Sequence, residues 1–435
     1  MTSEPSEIDY EDGLQLVPRL VAKGQMSNAV RWVDELCRHR PDDARPHNQA
    51  GLVRQRLNNP GEAVVHFCRA LVLEPDAGEV WANLGTARRH VAEFEAAFIC
   101  RLRSVRCRPE LLDARSALGL SLLAAGDYRE GFAEYEHRPE RRITLKSYAA
   151  LGLRAWDGKY TDRARRLLVV TEQGAGDTVQ FLRFVPLLVD RGVEVVVACH
   201  ENLERLVRSA SGVATTVPLC PTEPPVGFDG VEMLMSLPTR LDIDRESLPA
   251  PTRYLTPAEP QHRLPDNGVL RVGLCWTGRP EHSLNALRQI SFDELAPLLA
   301  IPQLEFYSLQ VSNDEQTVLN DGRVTDLAPY IDDFADTAAM IDQMDLIITV
   351  DTSVAHIAGA LGVPVWTLLA QVADWRWGYD SESTPWYRTM RLFRQTSSGD
   401  WRDVVDRIAS ELRGFAVRHT GGFRRRPFAS LDPSG

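Results

Sequence analysis

Lysine is almost missing from this 435-residue chain: only Lys23, Lys146 and Lys159 stand among 49 basic residues. That is a compositional bias towards arginine and assigns no function. The seven cysteines (Cys37, Cys68, Cys100, Cys107, Cys199, Cys220 and Cys275) are an odd number and form no C-x-x-C pair. Neither a disulfide framework nor a metal site is therefore expected. Reduced, mostly buried thiols suit a cytoplasmic protein. No apolar run approaches the ~18–20 residues of a membrane span. The opening MTSEPSEIDY is acidic and polar, so no secretory leader is expected. Excess positive charge is also missing, the net charge being −11. Residues 1–145 carry 20 basic and 22 acidic side chains, and residues 146–435 carry 29 and 38, giving −2 and −9. Neither part is a basic platform for nucleic acid. The cluster Arg424, Arg425 and Arg426 reads as a solvated tail. With 44% hydrophobic and 25% charged residues the chain is not mainly disordered, and its length predicts two to four domains.

What is present first is a period. Pro41, Pro75 and Pro109 are spaced by 34, as are Gly51, Gly85 and Gly119. Leu84-Gly85 recurs as Leu118-Gly119, Trp81 precedes Gly85 by four, and Ala63, Ala97 and Gly131 keep the register. This pattern resembles the tetratricopeptide repeat, a stack of amphipathic helix pairs. Clear units run from about 47 to 80 and from 81 to 114; another begins at 115, and a degenerate one occupies about 13 to 46. Such an array offers a groove for an extended peptide, with Asn48, Asn83 and Arg115 as candidate lining residues, or serves only as a packing appendage.

From about residue 165 the periodicity changes to short apolar runs alternating with helical segments. LLVVT (167–171), EVVVAC (194–199), VATTV (213–217) and VEMLM (231–235) read as strands of one parallel sheet. After proline-rich stretches at 218–225 and 249–265 a second series follows. Its strands are VLRVGLCW (269–276), LEFYSLQ (304–310), LIITVD (346–351) and VPVWTLL (363–369). The expected fold class is α + α/β. An α-solenoid of tetratricopeptide repeats (1–145) precedes a GT-B fold of two Rossmann-like domains (146–262 and 263–417), and 418–435 is a tail.

Four segments carry the chemistry. Asp351, Thr352 and Ser353 stand where a buried strand passes into a helix, and His356 lies one turn in. A helix N-terminus at the carboxyl edge of a parallel sheet suits an anion such as a diphosphate; capping alone is the plainer role of the same residues. The loop Glu172-Gln-Gly-Ala-Gly-Asp177 follows the first strand, where Gly174 and Gly176 let the backbone approach a ligand. Trp276-Thr277 ends a strand before a polar loop, and Gln310 ends the next, both facing the cleft between the two sheets. Trp375, Trp377, Trp386 and Tyr387 cluster with Arg376 and Arg394, as a stacking wall of the cleft or as interdomain packing. Asp242-Ile-Asp244 has the spelling of a metal-binding D-x-D but sits in a linker and is taken as chance.

The segment DTSVAHIAGALGVP (351–364), with DFADTAAMIDQMDLII (333–348) upstream, resembles the donor-binding region of glycosyltransferase family 9, the heptosyltransferase-like enzymes. The resemblance covers roughly 156–415. Combined with the repeats, it is similar to bacterial repeat-containing glycosyltransferases, some of which modify proteins such as flagellins, and more distantly to the O-linked N-acetylglucosamine transferases. It implies a nucleotide-sugar donor, a protein acceptor and inverting, metal-independent transfer with no cofactor. Asp177 would be the general base, although it also fits as a helix cap, and Glu172 is the alternative. Arg288 would meet the donor phosphates, with Arg279 competing. A non-catalytic adaptor with a degenerate sugar-nucleotide site, or a sugar-nucleotide epimerase, are the other readings.

Overall fold

The computed structural model describes residues 10–158, 165–219, 226–278, 285–311 and 322–419. Cys220, Arg279, most of the 218–225 stretch and the tail arginines lie outside the described residues. The chain divides into two compact units, Met1–Arg142 and Ile143–Gly435, the division falling within the helix Pro139–Ala150.

The first unit is built from helix pairs. They are α1 (Tyr10–Ala22) with α2 (Met26–His39), α3 (Ala44–Arg56) with α4 (Pro60–Leu73), α5 (Gly78–His90) with α6 (Phe94–Cys107), and α7 (Leu112–Ala125) with α8 (Tyr128–Tyr135). The first helices begin at 10, 44, 78 and 112 and the second at 26, 60, 94 and 128, so every pair repeats at 34 residues. The units start three residues before the 47, 81 and 115 expected from the tryptophan position, because each first helix has begun before its aromatic residue. The boundaries have local causes. Asp43 accepts the Arg45 N–H at 2.8 Å, Asn59 caps the helix opened by Pro60, and Gly126 closes α7 with φ +92°. Pro41, Pro75 and Pro109 each stand two residues beyond a second helix, where the hydrogen-bond ladder has already ended.

Within a pair the helices touch at the register glycines. A Cβ on Gly119 would stand 2.7 Å from the Tyr135 nitrogen and 2.8 Å from the Gly131 oxygen, both backbone atoms that cannot rotate away. We predict that Gly119→Val destabilises this unit by about 1–3 kcal/mol, read as an earlier loss of helical signal in urea; an unchanged midpoint would refute this close approach.

The second unit holds two parallel sheets. The first has order β3-β2-β1-β4, from β1 (Arg166–Val170), β2 (Glu194–Cys199), β3 (Val213–Pro218) and β4 (Gly230–Met233). Leu167 pairs with Val195 on one side and Gly230 on the other. The second has order β10-β9-β8-β5-β6-β7, from β5 (Leu270–Cys275), β6 (Leu304–Ser308), β7 (Val324–Asp326), β8 (Leu346–Val350), β9 (Val365–Leu369) and β10 (Met390–Arg394). Both sheets start at an internal strand, grow to one side, then cross to the other. This is the Rossmann-like connection, and it places a crevice outside the carboxyl ends of β1 and β4 and of β5 and β8.

Three elements differ from the sequence expectation, the first being the short edge strand Val324–Asp326, which was not expected. The strand expected at 231–235 stops at Met233 and continues as a 3-10 turn through Ser236. The segment 390–394 is an edge strand, although its two arginines had concealed it; Arg391 turns out to Glu382 and Glu411.

Candidate functional site

The loop after β1 is tightly held. Gln173 has φ +60°, a left-handed conformation for a side-chain-bearing residue, which costs on the order of 1 kcal/mol and is found where a site constrains its backbone. The helix Ala175–Phe181 follows, three residues earlier than a cap at Asp177 would require. Asp177 is instead its third residue, and one carboxylate oxygen reaches back to accept the Gly174 N–H at 2.8 Å. The other oxygen accepts from the Arg376 guanidinium. Arg376 also donates to the Gln180 side-chain oxygen and, at 2.6 Å, to Asp374. Glu172 is buried and accepts the Met235 N–H at 3.2 Å, so it helps fix the turn after β4.

Opposite stands the helix Ser353–Ala360, which continues from β8. Its cap residue Thr352 makes no capping bond; its hydroxyl pairs with that of Thr349 at 3.1 Å. The N–H groups of the first turn thus gain no side-chain acceptor from the cap and keep their partial positive charge. Asp351 is buried, with Arg288 at 3.4 Å. Burial pushes its carboxyl above the usual range and Asp374 adds to this, while Arg288 and Arg376 oppose it. Gln310 reaches back to the end of β5, where its oxygen accepts the Thr277 N–H at 3.1 Å and lies 3.5 Å from the Cys275 sulfur. Cys275 in turn lies 3.8 Å from the Thr352 hydroxyl.

His356 joins the two sides. Its Nδ1 is 2.9 Å from the Tyr387 hydroxyl and its ring lies 5.3 Å from that of Trp377. A Cβ on Gly176 would come within 2.6 Å of the imidazole, so only glycine lets the first turn of the Ala175–Phe181 helix pass this close. Burial holds the His356 pKa well below the ordinary 6.5, and Arg376, Arg183 and Arg288 push it the same way.

The structure therefore brings together Asp177, Gly174, Gly176, Arg288, Thr277, Gln310, Asp351, Thr352, Ser353 and His356. Trp276 points elsewhere, and Trp375 meets the site through Arg376, whose guanidinium lies 4.9 Å from its ring. Trp276 packs on Phe292 at 5.1 Å within the core of the second sheet. Trp375 is buried beside Trp386 at 5.5 Å and Phe181 at 6.5 Å, which is the packing role of the aromatic segment. Sequence reasoning missed Arg183 entirely and gave Arg376 no role. Arg183 is 1% exposed, and its guanidinium lies 5.2, 5.3 and 4.6 Å from the rings of Tyr254, Trp386 and Tyr387. The only available signal was the mixing of arginine with aromatics at 375–387. Asp244, from the D-x-D spelling, binds Ser247 in its own turn.

Comparison with known proteins fits this geometry. Residues 309–400 match the family model for glycosyltransferase family 9 (heptosyltransferase). The match spans Gln310, the Asp351–His356 turn and the aromatic segment with Arg376. Protein FlbA of Caulobacter vibrioides is 26% identical over 451 aligned positions, covering 94% of this chain and 74% of FlbA. Among solved structures, a mutant of the Thermobaculum terrenum O-GlcNAc transferase covers 97% of this chain and 93% of its own, with 17% identity and a TM-score of 0.36. YrrB, described as a TPR protein with an unusual peptide-binding site, covers 33% of this chain and 77% of its own, with 18% identity and a TM-score of 0.28. Those scores are too low to define the fold, which strand order and helix period define directly. No described helix is long and apolar enough to cross a membrane.

Two outcomes follow. Replacing Arg376 by Gln leaves Asp177 without its cation in a largely buried setting and should cost about 3 kcal/mol in urea unfolding. His356 stays neutral in the fold, whereas the unfolded chain gains a proton near pH 6.5. Stability should fall as pH drops below that value, because the unfolded state binds the extra proton. His356→Asn should flatten that acid-side decline; an unaltered slope would show that the imidazole is not responsible.

Proposed function

We propose that this chain is a glycosyltransferase that moves a sugar from a nucleotide-sugar donor to a hydroxyl of a protein acceptor, the acceptor being recruited by the repeats. The observation that carries this reading is the Ser353–Ala360 helix end at the crevice of the second sheet, with Arg288 beside it and the Asp177 loop facing it. The donor diphosphate lies against the helix N-terminus, where backbone N–H groups and the Arg288 guanidinium meet its charge. As the bond from the anomeric carbon to the diphosphate breaks, that charge grows and these donors hold it more strongly. Asp177 takes the proton of the acceptor hydroxyl as its oxygen attacks the anomeric carbon from the opposite face, which inverts the centre. Helix dipole and arginine together carry the phosphate charge, so the reading assigns no metal to the transfer.

Arg376 gives Asp177 its place and orientation. Each carboxylate oxygen accepts one bond and keeps a second lone pair, on which the acceptor proton is received. Asn48 and Asn83 are hydrogen-bonded to each other at 3.0 Å, and Arg115 is paired with Glu134 at 2.8 Å. We therefore assign acceptor recruitment to the array as a whole and not to these side chains.

The engagement of both Asp177 oxygens, with Glu172 committed to Met235, favours one second reading: a sugar-nucleotide-binding adaptor without turnover. A thermal-shift screen across UDP-, GDP-, ADP- and CMP-sugars, followed by an assay of donor consumption, separates the two. For a transferase one donor raises the melting temperature by mass action and is consumed. For the adaptor the shift appears without consumption. Asp177→Asn should lower transfer by a factor of about 100 or more while the shift persists. Arg288→Ala should weaken donor binding about tenfold to a hundredfold, as expected for a charged hydrogen bond. Full turnover in Asp177→Asn would sink the base assignment, and no shift with any donor would sink the donor site.

A further inference from the structure

The 34-residue register exposes a cluster in the first unit that the transfer reaction does not use. In the third helix pair, Trp81 stands in the first helix and its indole N–H donates to the Pro75 carbonyl at 2.7 Å. The same register position one repeat earlier holds His47, and its Nε2 lies 3.3 Å from the carbonyl of Pro41, the matching proline. A carbonyl only accepts, so Nε2 carries the hydrogen and Nδ1 is left with its lone pair. His47 is only 9% exposed, and this Nδ1 has no hydrogen-bond partner among the described residues. A buried acceptor without a donor costs about 1–3 kcal/mol.

Two further ligating groups come to the same place. Cys37 lies in the last turn of α2 and His66 in the middle of α4, and one ligating atom from each of Cys37, His47 and His66 lies within 4.8 Å of the other two. The His47 and His66 rings are 6.1 Å apart, centre to centre. Thirty-four positions on, the corresponding residues are Leu71, Trp81 and Cys100. Of these, Leu71 and Cys100 belong to the apolar core and Trp81 packs against it. The junction of the first and second helix pairs thus carries two histidines and a thiol where the next junction carries a packing set. A hydrogen bond on the far nitrogen of a histidine is also how proteins orient a metal-binding imidazole.

We propose that Cys37, His47 and His66 form a site for a borderline-soft transition-metal ion, of which zinc is the representative, tying α2, α3 and α4 together. One thiolate and two imidazoles suit such an ion and not magnesium or calcium. In a tetrahedral zinc site with Zn–S of about 2.3 Å and Zn–N of about 2.0–2.1 Å, ligand atoms stand roughly 3.3–3.6 Å apart. Side-chain rotations that draw the trio in by about 1 Å would reach that geometry. Three protein ligands leave a fourth position for water or an outside ligand. Around the cluster, Arg54 is paired with Asp34 at 2.9 Å and with Glu62 at 2.8 Å, and Arg69 donates to the Pro41 carbonyl at 3.3 Å, so the nearby charges balance.

The test is a cobalt(II) titration of the chelator-stripped, reduced full-length chain, followed by displacement with zinc. The expected result is one equivalent bound, tetrahedral ligand-field bands and a thiolate-to-cobalt charge-transfer band. Zinc should remove these bands and raise the melting temperature. Cys37→Ser should abolish the charge-transfer band, and His47→Gln and His66→Gln should each weaken cobalt binding at least tenfold. Cys107→Ser should change neither. Far-ultraviolet circular dichroism reports whether each variant folds, and the wild-type titration stands without them. No uptake by the wild-type chain overturns the site, as does a spectrum without thiolate character or a charge-transfer band that survives in folded Cys37→Ser.

Discussion

Two buried arginines bind the halves of the α/β unit. Gln180 serves both: its backbone oxygen accepts from Arg183 at 2.8 Å and its side-chain oxygen accepts from Arg376. Arg183 also donates to the Trp386 carbonyl and, at 3.1 Å, to the Tyr254 hydroxyl. Tyr254 completes the tie by donating to the Val179 carbonyl at 3.0 Å and bonding through its N–H to the Ala360 oxygen at 3.1 Å. Burying a guanidinium is costly unless its donors and its flat face are satisfied, and three aromatic rings with a ring of oxygens do both. The position of the Asp177 loop against the Ser353–Ala360 helix depends on this tie.

The tie also bears on the charge that the proposed donor would meet. Residues 146–435 carry a net charge of −9, an unfavourable field for a phosphate group. The buried arginines are concentrated where the sheets meet, and their charge depresses the basicity of His356. Asp177, Asp351 and Asp374 stand beside Arg288 and Arg376, so these carboxylates balance the three arginines and the crevice is not itself an acidic patch.

Much of this was legible because it rests on local rules. The period of 34 shows in single residues, since a glycine, a proline and an aromatic at fixed offsets each answer a steric need of stacked helix pairs. The parallel strands show as continuous apolar runs because both of their faces are buried. The Asp351–Ser353 turn was visible because a strand, a polar cluster and a helix adjoin in sequence. Arg183 was not visible: it stands in an apolar helical run, and its aromatic partners lie about 70 and 200 residues away in the chain. The fates of Trp276 and Trp375 were hidden for the opposite reason, because a tryptophan has the same spelling whether its face meets a ligand or a phenylalanine. The trio Cys37, His47 and His66 follows no sequence motif, since three helices deliver it, and only comparison of one repeat with the next sets it apart.

The tie between the halves restricts how anything can enter the crevice. Swinging one sheet away from the other would pull Arg183 from its aromatic cage and break its bond to the Trp386 carbonyl. Separation of the sheets is therefore opposed by these contacts. A ligand that enters the crevice would then work with this tie in place, and the short segments at the strand ends are the parts left freest to adjust to it.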